Sequence, residues 1–475
     1  MSFGLSGVIA VVITLQRMMQ MGPWPSGLDG GEWLAIGRGL LGGVGRSTEG
    51  AYAPLVPITV ASLARMIGEV DAVRAMAAGS LVAVLLAVAL VCTRGERLWI
   101  GPVAVVIVGS SATVSEPLAF GGYPQNVALA GTVLAVAGTA GWLATEQRPW
   151  LIAAAVGGIT AALSHHLYGM VAVVGMAMVT GLQVIADRRV PRERWVVAVV
   201  VIASSVGCLL PTLLAFRHAG YAPPLSAGST TRLEAWAYGM REAPWVWVVL
   251  VSAAVVVTIR GARGGSSWRT RAGAVMAMGG LAGFAFTTEV RVLPLVVLGT
   301  VLILAEGLAV LEVPRYPMVL PAAVIVCAWW ISIAGTREAK GFFAFYQTLD
   351  GSMLAAAEVI DKETFPGAVA AQADARQWPV GWWYEGLTTT PIVVGSNPRW
   401  LGFPDERVRA DVAAHLFDGS LTSDALRSAA TEAGVGGFVI RKWDWIGWQR
   451  WLDAENPAVE VVFDDNEIVA LRLVP

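Results

Sequence analysis

The chain has 475 residues, 56% hydrophobic and 14% charged, with a mean hydropathy of +0.62. Soluble globular proteins carry about 25% charged residues, so a soluble enzyme over most of the length is excluded. A polytopic membrane protein with attached soluble mass is indicated. Formal charge is nearly balanced, 33 basic against 35 acidic residues, which gives no reason to expect nucleic acid as a partner.

Lysine occurs only at Lys340, Lys362 and Lys442. With the Ala, Gly and Val load, this arginine usage is that of a GC-rich bacterial genome. Cys92, Cys208 and Cys327 lie far apart in apolar runs and read as small buried hydrophobes.

A bilayer core about 30 Å thick needs roughly 20 apolar residues as a helix. In chain order, windows of that size fall at 5–20, 72–93, 98–115, 125–144, 149–164, 166–187, 195–216, 244–260, 272–288, 290–311 and 318–335. About eleven transmembrane helices are therefore expected. The stretch Pro54 to Ile67 is short and carries two prolines near its start, and it reads as a helix lying on the membrane surface. Alternating the eleven spans puts Arg94, Arg97, Arg148, the cluster Arg188 to Arg194, the cluster Arg260 to Arg271, and Arg315 on one side. By the positive-inside rule that side is the cytoplasm. The N-terminus is then cytoplasmic, and the loop 21–71 and everything past about Gly335 are extracytoplasmic.

Two domains follow, a membrane domain over 1–335 and a soluble α/β domain over 336–475. In the second, Ala355–Asp361, Asp405–Phe417 and Ser423–Ala433 read as helices. Pro404 with Asp405, and Thr422 with Ser423, mark the starts of the last two. Strands are expected at Gly367–Ala371, Pro391–Gly395, Val435–Ile440, Val459–Phe463 and Ile468–Leu473. Its tryptophans, among them Trp378, Trp382, Trp383, Trp400, Trp443 and Trp451, suit either core packing or a stacking surface for sugar rings.

No phosphate-loop, GxSxG, HExxH or CxxC motif is present. The polar residues that remain all map to the outer face. They are Asp29 and Glu32 in Gly27-Leu28-Asp29-Gly30-Gly31-Glu32-Trp33, and Glu116 with Gly121-Gly122-Tyr123. Ser164-His165-His166 and Thr288-Glu289-Val290-Arg291 complete the set. Asp29 could instead cap the helix that follows it.

One short span, an early acidic residue in the first external loop and a surface helix are followed by Tyr52-Ala53-Pro54-Leu55-Val56-Pro57 and Leu63-Ala64-Arg65-Met66-Ile67-Gly68. With Phe120-Gly121-Gly122-Tyr123-Pro124-Gln125 and Glu289-Val290-Arg291-Val292-Leu293-Pro294, this pattern resembles the GT-C superfamily over residues 1–335. These are membrane glycosyltransferases that use polyprenyl-phosphate-linked sugars.

The resemblance implies a polyprenyl-phosphate sugar donor and an extracytoplasmic glycan, lipid or protein acceptor, at a bacterial plasma membrane. It implies Asp29 as base or ion ligand. Glu116 stands at the second acidic position, a lone glutamate where the family often carries Asp-x-Asp. A divalent cation, Mg or Mn, would sit on Asp29 and Glu116. Glu32, Tyr123, His165, His166, Glu289 and Arg291 are the expected substrate-binding residues. A transporter or flippase of a lipid-linked solute, and a catalytically inactive scaffold on the same fold, are the alternatives. Against a transporter stand the lack of an internal repeat and spans nearly free of charge apart from Glu306.

Overall fold

The computed structural model describes residues 2–42, 52–93, 97–186, 190–222, 252, 255, 267–287, 290–310, 319–452 and 455–474. The first part is helical: α1 (Ser2–Met21), α2 (Asp29–Leu40), α3 (Leu55–Ile67), α4 (Glu69–Cys92), α5 (Ile100–Gly109), α6 (Ala112–Phe120) and α7 (Tyr123–Thr145). Next come α8 (Arg148–Ser164), α9 (His166–Ala186), α10 (Arg192–His218), α11 (Trp268–Thr287), α12 (Leu293–Val310) and α13 (Val319–Tyr346).

Among the described residues, six stretches are long and apolar enough to cross a bilayer. The bent pair α5–α6 makes a seventh if it is taken as one span. The expected windows other than 244–260 coincide with helices, and 244–260 lies almost wholly outside the described residues.

Window 98–115 is not one straight helix. The chain breaks at Ser110–Ser111 with a bend of 42°, where Ser111 turns to extended backbone. The carbonyl of Gly109 at this break accepts from Arg17 Nη2 at 3.1 Å. Arg17 is itself buried in α1 and bonded to Gln20 at 2.9 Å. Hydropathy cannot register a break of this kind, because the residues on both sides stay apolar.

The last span also differs from expectation. Helix α13 continues past Gly335 to Tyr346. Gly335 interrupts nothing; a Cβ there would lie 1.6 Å from the Ser110 carbonyl oxygen, so its role is close approach to the α5–α6 break.

Arginine side chains mark one end of the bundle. Arg97 donates to the Leu308 carbonyl at 2.7 Å, Arg269 to Val91 at 3.0 Å, and Arg194 pairs with Glu146 at 2.6 Å. Helices α7 and α8 pack antiparallel through small residues. A Cβ on Gly131 would lie 2.7 Å from the Gly157 carbonyl oxygen, and one on Gly138 2.6 Å from the Ala154 nitrogen. That contact sets the start of α7 beside the end of α8, opposite the arginines.

Beyond α13 the chain forms α14 (Gly351–Lys362), β1 (Ala368–Ala371), α15 (Gly381–Leu387), β2 (Ile392–Val394), α16 (Pro404–Leu416), α17 (Ser423–Glu432), β3 (Val435–Arg441), β4 (Val459–Asp464) and β5 (Ile468–Leu473). The strand order is β2-β1-β3-β5-β4. The first three strands are parallel, and β5 and β4 join antiparallel.

The start signals read from sequence are in place. Glu406 accepts from the Phe403 amide at 3.2 Å, and Thr422 from the Ala425 amide at 3.4 Å. Helix α15 has no counterpart in the expected elements, since seven residues built around Trp382-Trp383 show no clear period. Most of the tryptophans are core: Trp378, Trp382, Trp383, Trp448 and Trp451 are buried, whereas Trp443 is exposed.

The loop between β1 and α15 is organised by one carboxylate. Buried Asp374 accepts from the amides of Arg376 and Trp378 at 3.0 and 2.8 Å, and from Arg376 Nε at 2.8 Å. Arg376 then lies 3.6 Å from the centroid of the Trp378 ring, and that ring stacks on Tyr346 at the end of α13. Replacing Asp374 by Ala strands two amides and a guanidinium; the expected cost is about 2–3 kcal/mol, read as a lowered Tm of the full-length protein.

Candidate active site

Helix α2 is the scaffold of the site. It starts at Asp29, and Leu28 in the cap position makes no side-chain bond, so Asp29 does not serve as the cap. The helix is wedged between α15 and α3 through its glycines. A Cβ on Gly31 would lie 2.4 Å from the Trp382 carbonyl oxygen, and one on Gly37 2.1 Å from that of Pro57. Before it, Gly27 has φ +93°. Its carbonyl accepts from Trp383 Nε1 at 2.8 Å and Thr348 Oγ1 at 3.1 Å. Membrane helices and sheet region together therefore set where Asp29 points.

Asp29 faces the turn between α6 and α7. A Cβ on Gly121, whose φ is +97°, would fall 3.0 Å from Asp29 Cβ, and Trp33 Nε1 donates to the Gly121 carbonyl at 2.7 Å. Glycine is required there twice over, by conformation and by space. Asp29 keeps part of its surface open, yet the surrounding protein displaces most of its water. Burial pushes its carboxyl up to about 7, against the opposing pull of the Arg291 guanidinium.

The other residues that gather here come from four further places. Tyr123 opens α7 within the electrostatic reach of Asp29. His165 joins α8 to α9, its ring stacked on His166 with centroids 4.8 Å apart. Both imidazoles lie in the field of Arg291, which sits in a single 3-10 turn at Val290–Val292. Tyr168, one turn into α9, donates its hydroxyl to the Arg291 carbonyl. Burial, His166 and Arg291 together hold the His165 imidazole well below its ordinary pKa, so it is neutral at physiological pH.

Of the residues singled out from sequence, the structure thus brings together Asp29, Tyr123, His165, His166 and Arg291. Glu32 is buried and accepts from the Tyr52 hydroxyl at 3.1 Å. Glu116 in α6 faces Tyr346, whose hydroxyl is 3.4 Å from Glu116 Oε1. Glu289 lies outside the described residues. Among the described residues no three His, Cys, Asp or Glu side chains form a group that could hold a metal ion. A cation on Asp29 and Glu116 would need water and substrate phosphate to complete its shell, and the chain's own residues supply the chemistry derived for the site.

Sequence reasoning missed an aromatic wall beside the histidines. His166 meets Phe216 edge-on at 4.5 Å, and Phe216 stacks on Tyr221 at 4.6 Å. Phe403, from the segment before α16, packs on Tyr221 and Tyr52 at 5.1 and 5.3 Å. Tyr168 was within reach, because it stands three residues after His165 at a helix start. Nothing local marks Phe403, which arrives from more than two hundred residues away.

No protein-family profile and no curated protein sequence matches the chain. Its fold does match solved structures. ArnT from Cupriavidus metallidurans, bound to undecaprenyl phosphate, aligns with a TM-score of 0.54 at 12% identity, covering 98% of this chain and 97% of that one. The oligosaccharyltransferase AglB from Archaeoglobus fulgidus, in complex with an inhibitory peptide and a dolichol-phosphate, gives 0.56 at 11% identity, covering 93% and 71%. The mycobacterial arabinofuranosyltransferase AftD gives 0.61 at 17% identity, covering 99% of this chain but 41% of AftD. Over nearly its whole length, this chain shares the polytopic membrane fold of ArnT, AglB and the matched part of AftD.

Proposed function

We propose that the protein transfers a sugar from a polyprenyl-phosphate donor to an acceptor hydroxyl at the extracytoplasmic face of a bacterial plasma membrane. One observation carries the reading: Asp29 lies in the electrostatic field of Arg291, a cation from a segment far away in sequence, at the end of the bundle opposite Arg97, Arg194 and Arg269. The fold shared with ArnT and AglB, seen with undecaprenyl phosphate and a dolichol-phosphate, supports the donor class. A donor carried on lipid also suits a site outside the cell, since nucleotide sugars are cytoplasmic.

In the reaction the acceptor oxygen attacks the anomeric carbon while the bond from that carbon to the phosphate oxygen breaks. The electron pair leaves with the polyprenyl phosphate. The acceptor proton passes to the Asp29 carboxylate, whose pKa near 7 suits a general base at neutral pH. Arg291 offsets the charge that develops on the departing phosphate. Tyr123, His165 and His166 flank the reacting sugar.

The test is transfer of radiolabelled sugar from a panel of undecaprenyl-phosphate sugars by full-length protein in lipid nanodiscs. Wild type is expected to transfer from at least one donor. Arg291→Gln should lose about 10–100-fold in kcat/KM, the worth of one charge-assisted phosphate contact. Undiminished transfer by Arg291→Gln would remove that residue from the mechanism, and absence of transfer from every donor would sink the reading.

A further inference from the structure

We infer that Tyr123, Asn126, Ser164 and His165 form a cradle that reads the hydroxyls of an uncharged sugar. The inference rests on the glycosyl-transfer reading and names the class of sugar transferred.

Buried polar groups in native proteins are nearly always hydrogen-bonded. Here Tyr123 Oη, Asn126 Oδ1, Ser164 Oγ and His165 Nδ1 are buried with no partner among the described residues. The side chains of Tyr123, Asn126 and Ser164 belong to residues at most 1% exposed. Several buried hydroxyls within the helices are satisfied by the carbonyl four residues back. Thr132 bonds Ala128, Thr139 bonds Ala135, Thr180 bonds Met176 and Thr300 bonds Val296, all within 2.6–2.8 Å. Ser164 ends a helix where the same bond is on offer, and its hydroxyl is turned elsewhere.

The antiparallel packing of α7 on α8 sets Tyr123 and Asn126 beside Ser164 and His165. Tyr123 lies in the field of Asp29, and His165 in that of Arg291, so these two residues tie the cradle to the proposed reacting groups. Asn126 is oriented by its Nδ2, which donates to the Val114 carbonyl at 3.4 Å and leaves Oδ1 for a ligand.

Their chemistry names the ligand. Phenol, amide oxygen, hydroxyl and imidazole each pair with a hydroxyl, and none brings charge. His165 is held neutral by burial and by the cation beside it. An amino or carboxylate group on the sugar, set against these four atoms, would meet no charged partner among them, which is costly on a buried surface. Neutral hydroxyls satisfy it.

Binding of undecaprenyl-phosphate mannose, undecaprenyl-phosphate 4-amino-4-deoxyarabinose and bare undecaprenyl phosphate to full-length protein in nanodiscs tests this, together with Tm of wild type, Tyr123→Phe and Ser164→Ala. The mannose donor should bind at least about tenfold tighter than the amino-sugar donor, and each variant should weaken it by about tenfold or more, as for a site deprived of one hydroxyl contact. Unliganded, both variants should melt at or above wild type, because each removes a buried hydroxyl that has no protein partner. Preference for the amino sugar, or mannose donor binding no tighter than the bare lipid phosphate, would overturn the inference. So would variants that melt lower with donor affinity unchanged. Failure of bare undecaprenyl phosphate to bind would instead bring down the glycosyl-transfer reading, and this inference with it.

Discussion

Asp29→Asn is expected to lower the transfer rate by about 10²–10⁴-fold, the worth of a positioned general base, while making the protein more stable. The two effects share a cause. Burial raises the Asp29 carboxyl from the ordinary value of 3.8 to about 7, so the folded protein binds this proton more tightly than the unfolded chain does. Its contribution to stability is therefore fully present below about pH 4 and lost as pH rises through about 7.

Asparagine has no charge to desolvate. The variant should gain about 2 kcal/mol above pH 7, after allowance for the partial exposure of the group, and nothing near pH 4. Melting curves of wild type and variant in nanodiscs at pH 5 and pH 8.5 check the sign, since the gain must appear at the alkaline end. Wild-type transfer should fall as pH drops through about 7, because only the ionised carboxylate accepts a proton. A pH-independent rate between 6 and 8 would contradict Asp29 as base.

Gly31→Ala should damage both stability and rate. In an ordinary helix Gly→Ala gains about 1 kcal/mol. At Gly31 the new methyl would meet main-chain atoms of Trp382 and Trp383 at 2.4–2.7 Å, which cannot swing aside. Helix α2 must back away from α15, at a cost of about 1–3 kcal/mol of overpacking. Asp29 lies two residues away on the same helix, so transfer should fall by about a hundredfold, the usual penalty for misplacing a reacting group by an ångström. Gly79 in α4 is the control, because a Cβ there meets nothing within 4 Å. Gly79→Ala should leave rate and Tm at or slightly above wild type. Equal behaviour of the two variants would show that α2 is not wedged as described.

The parts of this molecule legible in its sequence were those governed by one-dimensional rules. Asp29, Tyr123, His165, His166 and Arg291 could be grouped because each sits at a span end of the same parity, and parity survives folding. The start signals at Pro404 and Thr422 held because a helix start is set by residues within its own first turn. What stayed hidden depended on contacts between distant segments. The hydrogen bond that Tyr52 gives Glu32 is one such contact. The break at Ser110–Ser111 shows only when Arg17 reaches the Gly109 carbonyl from another helix. Gly335 reads as the end of a span, and it is the point where two helices nearly touch.

The Gly27 carbonyl takes hydrogen bonds from two places in the C-terminal region, Trp383 and Thr348, while the Gly27 amide donates to Tyr346 at 2.9 Å. The loop that leads into Asp29 is thereby braced by residues encoded more than three hundred positions later. A ribosome inserting the membrane helices in order would leave the Asp29 loop without that brace until Trp383 has been added. Activity should accordingly be absent from nascent or C-terminally clipped chains, however well their spans are inserted, and exchanging the C-terminal region between homologues to alter acceptor choice would also disturb the chemistry.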